Sequence, residues 1–118
     1  MENSIIEDKS LAFAVRIVNV QKHLVKVYHE YVMSKQLLRS GTSIGASVAE
    51  AQHGQSKADF ASKMNIALKE ARETLYWIQL LFRTQYLTKE QYESLHADIS
   101  ELLRLLISTC KTATQEQR

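Results

Sequence analysis

The fold of this chain is decided by the stretch Ser10–Val32, which reads SLAFAVRIVNVQKHLVKVYHEYV. Its apolar residues form two interleaved series at spacings of three, four or seven, which place side chains on one face of an α-helix. One series is Phe13, Ile17, Val20, Leu24, Val27 and Tyr31, and the other is Leu11, Ala14, Val18, Val25, Tyr28 and Val32. Together they cover an arc of roughly 200°, whereas a surface helix of a monomer needs only somewhat more than 100°. We therefore expect one apolar side to face a bundle and the other to face a partner.

The composition agrees with a helical domain. The 118 residues include no Pro, three Gly and 45% hydrophobic residues, so turn formers are too few for an all-β chain. A chain of this length buries roughly 65% of its unfolded surface and needs no metal or disulfide to fold. The formal net charge is only +2, with 24% charged residues, which excludes both a disordered chain and a strongly basic polyanion binder.

A second helix is predicted over residues 35–53, with Ser34 as its N-cap and Gly54 as its stop signal. Small residues recur every four positions in its interior, at Gly41, Gly45 and Ala49. Glycine inside a helix costs about 1 kcal/mol relative to alanine, and a closely approaching second helix is the compensation we expect. The alternative is a loop or a poorly formed helix.

Two further helices are predicted over residues 57–85 and 89–111. Ser56 with Asp59 and Thr88 with Gln91 form capping patterns at their starts. Around Trp77, the run Tyr76–Phe82 is apolar nearly all the way round, which predicts neighbours on several sides. The polar tail Thr112–Arg118 is expected to fray.

With a first helix at about residues 10–33, these segments predict one all-α domain over residues 1–118. Turns of a few residues make neighbouring helices antiparallel, so the predicted architecture is an up-down-up-down four-helix bundle.

The location predicted for the chain is the cytoplasm of the cell. The first residues are acidic where a signal peptide is basic, and no stretch approaches 18 uninterrupted apolar residues. The lone Cys110 lies among leucines at helical spacing, so we expect an inert core thiol in a reducing compartment.

We expect no enzyme, no cofactor and no metal site. The histidines His23, His29, His53 and His96 show no metal-ligand spacing, and Glu93–His96 is the single match to the Glu-x-x-His pattern that di-iron bundles use twice. Gly41 and Gly45 lack the lysine and the spacing of a phosphate-binding loop.

Charged residues near the small-residue faces suggest a structural pairing. Arg39 on the second helix is predicted to pair with Glu70 or Glu73 on the third, or with a carboxylate of another subunit, because partly buried charges need partners. The alternative is that these are separate, solvated charges.

Charge is unevenly distributed along the chain. From Lys9 to Arg39 there are six cations and one carboxylate, a net charge of +5, whereas Lys89–Glu101 carries −3. Arg16, Lys22 and Lys26 fall on the polar side of the first helix, opposite its apolar arc, and are candidate phosphate contacts. No aromatic residues interleave with these cations to form a stacking platform, so sequence-specific recognition of single strands is not predicted. A merely solvated basic face is the alternative.

Two blocks of sequence also resemble a known family. They are Leu38–Ala51, LRSGTSIGASVAEA, and Phe60 followed by Lys63–Trp77, KMNIALKEARETLYW. Over nearly the whole chain the sequence is similar to the bacterial four helix bundle protein family. That family includes proteins encoded in intervening sequences of 23S ribosomal RNA genes, once labelled ribosomal proteins. It is related to the accessory variability determinant of diversity-generating retroelements. Ser47 and Ala51 stand where the usual pattern has Asn and Gly.

The resemblance implies a ring-shaped homopentamer with no catalytic activity which, in the retroelement relatives, binds nucleic acid and a reverse transcriptase. Two functions stay open. The first is an oligomeric accessory scaffold that binds RNA or DNA through a basic surface. The second is a purely structural or protein–protein interaction oligomer without nucleic-acid binding.

Overall fold

The computed structural model describes residues 2–117, and in this range the chain forms four helices and no strand. They are α1 (Glu2–Tyr28), α2 (Met33–Gln52), α3 (Lys57–Arg83) and α4 (Lys89–Glu116). The prediction of an all-α fold is therefore confirmed. Met1 and Arg118, the ends of the predicted domain, lie outside the described residues.

The four helices pack side by side as an antiparallel bundle measuring 48 × 21 × 20 Å. Each helix packs on the next in the chain, and α4 returns to contact α1. Two ion pairs show that α1 and α4 run in opposite directions. Lys9 pairs with Glu101, and Arg16, which is later in α1, pairs with Asp98, which is earlier in α4. The turns between α1 and α2 and between α3 and α4 therefore lie at the same end of the bundle, which we call the loop end.

The core runs along the bundle axis. Its largest fully buried side chains are Ile6, Ile17, Leu24, Leu37, Ile44, Met64, Ile78, Leu81, Leu95, Ile99, Leu102 and Leu106. Cys110 is buried beside them, and burial raises the pKa of its thiol, with a smaller opposing effect from the Arg72 guanidinium. Burial and a raised pKa are the properties of an unreactive thiol.

Helix boundaries at both chain ends differ from the prediction. α1 begins at Glu2, not near residue 10, because its early turns bury Ile6 and Ser10 in the bundle. α4 continues to Glu116, so the prediction that the tail frays from Thr112 was wrong up to that residue. Buried Ala113 attaches this last part to the core, and packing outweighs the polar composition of its neighbours.

The first turn was also placed wrongly. α1 ends at Tyr28, not near residue 33, because His29 adopts the left-handed conformation with φ 52°. Ser34 is not the N-cap of α2. The Glu30 carboxylate takes that role, accepting hydrogen bonds from the backbone N–H groups of Val32, Met33 and Ser34 at 2.9, 2.8 and 2.7 Å. The Ser34 hydroxyl donates to the Glu30 carbonyl instead.

The other two helix starts follow the predicted capping patterns. The Ser56 hydroxyl accepts a hydrogen bond from the Asp59 backbone N–H at 3.0 Å. Thr88 and Gln91 form a complete capping box, in which each side chain accepts from the backbone N–H of the other residue. These caps satisfy backbone donors that the first turn of a helix leaves without partners.

Close approach between α1 and α2 explains two of the three small residues. A Cβ placed on Gly41 would lie 2.8 Å from Ile17 Cγ2, and one on Gly45 would lie 3.3 Å from the Ser10 carbonyl oxygen. Ala49 is exposed, so the predicted seam does not extend to it. Each step of four residues turns about 40° around a helix, and two steps carry Ala49 away from α1.

The apolar run on α3 is only partly enclosed. Ile78 and Leu81 are buried and Trp77 is half-buried, but Tyr76 stays 55% exposed. Within the single chain, the predicted neighbours therefore cover Ile78 and Leu81 but leave the side of the helix that carries Tyr76 exposed. Among the described residues, no helix combines the length and apolar character needed to cross a membrane.

Candidate nucleic-acid interface

Arg16, the first of the three predicted phosphate contacts, is engaged inside the chain. Its guanidinium donates to the Asp98 carboxylate at 2.7 Å, to the Ser94 hydroxyl at 2.7 Å and to the Ser94 carbonyl at 3.3 Å. Its charge is balanced by Asp98 and its donors are directed at α4. Arg16 therefore connects α1 to α4, and we remove it from the candidate interface.

Lys22 and Lys26 are placed differently. Both side chains are exposed, and neither makes an ion pair with any residue that the structure describes. Their ammonium groups are therefore available to an external anion. These two lysines remain as the predicted phosphate contacts on α1.

Lys22 and Lys26 lie on the side of α1 opposite its buried residues Phe13, Ile17 and Leu24, as the helical wheel predicted, but this side is not wholly polar. Leu11, Val15 and Lys22 share one outward face of α1, because they are four and seven residues apart. Leu11 is 65% and Val15 57% exposed, so the face is apolar near the start of the helix and cationic towards its end. The series that begins with Phe13 is the one that supplies the core of the bundle.

Aromatic side chains cluster at the loop end. Tyr28 is 45% and Tyr31 58% exposed. The Tyr28 ring makes edge contacts with His23 and Tyr86, at centroid distances of 5.9 and 5.4 Å. The His29 ring lies 6.4 Å from that of Tyr31. Aromatic side chains therefore lie at the end of the bundle where α1 carries Lys26 in its last turn.

This cluster was missed because the sequence pattern extended α1 to about residue 33. On that interpretation Tyr28 and Tyr31 belonged to the apolar arc of a continuous helix. The signal that could have identified the turn is the polar pair His29–Glu30 within an otherwise apolar run. An acidic residue shortly before a new helix is a capping candidate, and His is one of the residues that tolerate positive φ.

Exposed cations also lie at the four helix termini of the loop end. Lys26 lies in the last turn of α1, Lys35 in the first turn of α2, Arg83 in the last turn of α3, and Lys89 at the start of α4. Lys89 makes a distant ion pair with Glu93, at 3.9 Å, in which the lysine side chain is 80% exposed. The buried Glu30 is turned inwards to the α2 backbone, so its carboxylate does not face an approaching phosphate.

The predicted charge cluster between α2 and α3 is assembled in the structure. Arg39 donates to Glu70 at 3.1 Å and also to Glu73. The Glu73 carboxylate accepts a second hydrogen bond, at 3.0 Å, from the indole N–H of Trp77. Arg39 therefore bridges two helices and is balanced by two carboxylates, so it adds little to a cationic surface.

No group of three His, Cys, Asp or Glu side chains within residues 5–117 is arranged to hold a metal ion. His96 of the lone Glu-x-x-His match is directed elsewhere, with its Nδ1 3.4 Å from the Ser100 hydroxyl and its ring 5.5 Å from that of Tyr92.

Comparisons with known proteins agree with this architecture. The family model of the 23S rRNA-intervening sequence protein matches residues 2–108. Among solved structures, the chain is similar to a protein of unknown function from the S23 ribosomal protein family of Bacteroides thetaiotaomicron. The two share 60% sequence identity and superpose with a TM-score of 0.92, over 94% of this chain and 99% of the other. No curated protein matches the sequence. The resemblance found in the two sequence blocks is thus confirmed.

Proposed function

This chain belongs to the 23S rRNA-intervening sequence protein family, and from that premise we propose that it is a non-enzymatic, self-associating scaffold that binds RNA or DNA through a basic surface. The observation that carries the proposal is that some cations of the chain are paired with its own carboxylates and others are not. Arg16 and Arg39 are engaged with carboxylates of the chain, whereas Lys22 and Lys26 are exposed without such partners among the described residues.

The proposed contact is electrostatic and independent of base sequence. Neutralising phosphates with Lys or Arg releases counterions, so affinity falls steeply as the salt concentration rises. The two lysines on α1 and the cations at the loop end would each contribute. A single protomer with so few contacts binds weakly, and repetition of the surface in an oligomer raises the avidity.

Self-association is supported by exposed apolar side chains on α1. Leu11 and Val15 are more than half exposed, and the adjacent outer face of α2 carries the small exposed residues Ala46 and Ala49. Burying a Leu or Val side chain stabilises a contact by about 1.5–3 kcal/mol. We propose that this face contacts another copy of the chain. A ring-shaped homopentamer is the form that the sequence resemblance implies.

The partners proposed for such a scaffold are RNA or DNA and, by resemblance to the retroelement relatives, a reverse transcriptase. The proposed location is the cytoplasm. If the oligomer does not bind nucleic acid, the exposed apolar face of α1 favours the second candidate, a purely structural or protein–protein interaction oligomer.

The binding proposal is tested by fluorescence anisotropy with labelled RNA and DNA oligonucleotides, at 50 and 200 mM salt. We expect binding at the lower concentration and release at the higher one. The variant Lys22→Gln/Lys26→Gln should lower the salt dependence of affinity. For a single strand, the slope of the logarithm of the binding constant against the logarithm of the salt concentration should fall by about 0.7 per lost contact.

The matched control is Lys57→Gln/Lys111→Gln. It removes the same charge from exposed lysines at the opposite end of the bundle. Binding that does not change with salt, or that both double variants weaken equally, would contradict the proposed surface.

The assembly proposal is tested by multi-angle light scattering of the full chain. We expect five times the 13.5 kDa mass of one chain. Val15→Glu should dissociate the oligomer, because it places a charge in the proposed contact, while the helical circular dichroism signal is retained. A wild-type chain that is monomeric at micromolar concentration would show that the outer face of α1 is not a self-association surface.

A further inference from the structure

We propose that the loop end is a stacking platform on which Tyr28 and Tyr31 receive unpaired bases, so that the protein prefers single-stranded nucleic acid to duplex. This inference rests on the proposed function and specifies its ligand. It is carried by an arrangement that the electrostatic proposal does not need, namely exposed aromatic rings at the end of the bundle where four exposed cations also lie.

The aromatic faces are available to a ligand. Tyr31 is 58% exposed and lies in the turn after α1, outside the core. Its hydroxyl lies 3.3 Å from the Nδ1 of His29, whose ring is tilted by 38° at a centroid distance of 6.4 Å and is not stacked on the Tyr31 ring. Tyr28 is 45% exposed, and the rings of His23 and Tyr86 stand nearly perpendicular to it, so neither of these two rings is stacked parallel on it.

The segment that carries these rings is held in place before any ligand arrives. The His29 and Glu30 backbone N–H groups donate back to the carbonyls of Val25 and Leu24, at 3.1 and 3.2 Å. On the other side, the Glu30 carboxylate fixes the first turn of α2 through three hydrogen bonds. A preorganised platform loses little conformational entropy on binding, which is the usual cost of recognition by a loop.

The electrostatics of the loop end suit a phosphate backbone. Four exposed cations lie there on four different helix ends, Lys26, Lys35, Arg83 and Lys89, against two exposed carboxylates at the start of α4, Glu90 and Glu93. The buried carboxylate of Glu30 is directed to the α2 backbone, where it satisfies the N–H groups that could otherwise bind an anion. Phosphates of a strand would therefore contact the lysines and the arginine, and its bases the tyrosines.

Stacking selects for unpaired nucleotides. In a duplex each base face is already covered by its neighbours, whereas a single strand can place a base on an aromatic ring. Aromatic rings combined with a positively charged surface are the usual means of binding single strands without sequence preference.

The test uses fluorescence anisotropy on the full chain with four labelled ligands of equal length, at one low salt concentration. They are an unstructured single-stranded RNA, the same sequence as DNA, the RNA duplex, and an abasic single strand that offers phosphates without bases. We expect RNA and DNA single strands to bind at least about tenfold more tightly than the duplex and the abasic strand, since one stacked base contributes about fivefold to a hundredfold in affinity.

Variants locate the platform. Tyr31→Leu should lose about fivefold or more in affinity for the single strands and none for the abasic strand. Tyr31→Phe should keep the wild-type affinity, because it retains the ring. The matched control is Tyr76→Leu, which removes a tyrosine of similar exposure, 55%, from the outer face of α3. Circular dichroism and light scattering would establish that each variant keeps its fold and mass.

The outcomes separate this inference from the proposed function. Equal affinity for the single strand, the duplex and the abasic strand, with a steep salt dependence, would overturn the stacking platform and leave electrostatic binding intact. A Tyr31→Leu variant that binds like Tyr76→Leu would also overturn it. Absence of binding to all four ligands at low salt would overturn the proposed function itself.

Discussion

Glu30 shows how one buried carboxylate can set the geometry of a turn. It is 8% exposed, and its two oxygens accept hydrogen bonds from three consecutive backbone N–H groups at the start of α2. Hydrogen bonds to an ionised acceptor are stronger than neutral ones, and a negative charge at a helix N-terminus interacts favourably with the helix dipole. This residue therefore fixes both the start of α2 and the position of Tyr31.

We predict that Glu30→Ala lowers the free energy of unfolding by about 2 kcal/mol, because it leaves three N–H groups without their acceptor. Urea denaturation followed by circular dichroism measures the loss. The control is Glu90→Ala in the first turn of α4, where the carboxylate is exposed and only the helix dipole is affected, at about 0.5 kcal/mol. Equal losses in the two variants would show that the cap contributes nothing beyond its charge.

Between elements, the contact of α1 with α2 depends on the missing side chain of Gly41. We predict that Gly41→Ala destabilises the protein by about 1 kcal/mol net. The new methyl group would meet the buried Ile17 at 2.8 Å, and this overpacking costs about 1–3 kcal/mol, against a gain of about 1 kcal/mol in helix propensity.

A double-mutant cycle isolates that contact. Ile17→Ala alone should cost about 2–5 kcal/mol, but in the Gly41→Ala background it should cost less, because it removes the two Cγ atoms that the added methyl group would meet. The free energies come from urea denaturation of the four proteins. Strict additivity of the two substitutions would mean that the helices do not approach closely at Gly41.

The contact of α2 with α3 includes the ion pairs of Arg39 with Glu70 and Glu73. Exposed ion pairs contribute about 0.2–1 kcal/mol each, and reversal replaces attraction by repulsion. We predict that Arg39→Glu lowers the free energy of unfolding by about 1–2 kcal/mol, by thermal or urea denaturation.

Arg104→Glu is the control for this reversal, because Arg104 is exposed on α4 and makes no ion pair within the described part of the chain. If Arg39→Glu leaves both the melting temperature and the assembly unchanged, the pairing does not fix the register of α2 on α3.

At the scale of the whole molecule, the chain uses its cations in two ways. Arg16 joins α1 to α4, together with the Lys9–Glu101 pair, along the side of the bundle where these two helices meet. Lys22 and Lys26, about two and three turns farther along α1, remain exposed.

We predict that Arg16→Gln lowers stability by about 0.5–1 kcal/mol but leaves the salt dependence of nucleic-acid affinity unchanged. Lys22→Gln should leave stability unchanged, since it breaks no ion pair within the described residues, and should lower the salt dependence of nucleic-acid affinity. Denaturation and anisotropy titrations on the two variants measure both effects. A salt dependence that falls as much for Arg16→Gln as for Lys22→Gln would place Arg16 back in the interface.

Local patterns by themselves determined the helical fold of this protein. Apolar spacings of three and four specified four helices, and Thr88 with Gln91 specified where α4 begins, because these signals act over one or two helical turns. The close approach at Gly41 was predictable for the same reason, since a glycine inside a helix has a local cost that a neighbouring helix compensates.

Only the tertiary structure decided which charges and rings remain available to a ligand. Asp98 is 82 residues away from Arg16 along the chain, so no local pattern shows that the two are paired. The end of α1 depends on whether the Glu30 carboxylate reaches the α2 backbone. For this reason Tyr31, which was predicted to lie on a helix face, lies in an exposed turn. Helix periodicity identifies the apolar side of each helix, but availability depends on partners that are distant in sequence and close in space.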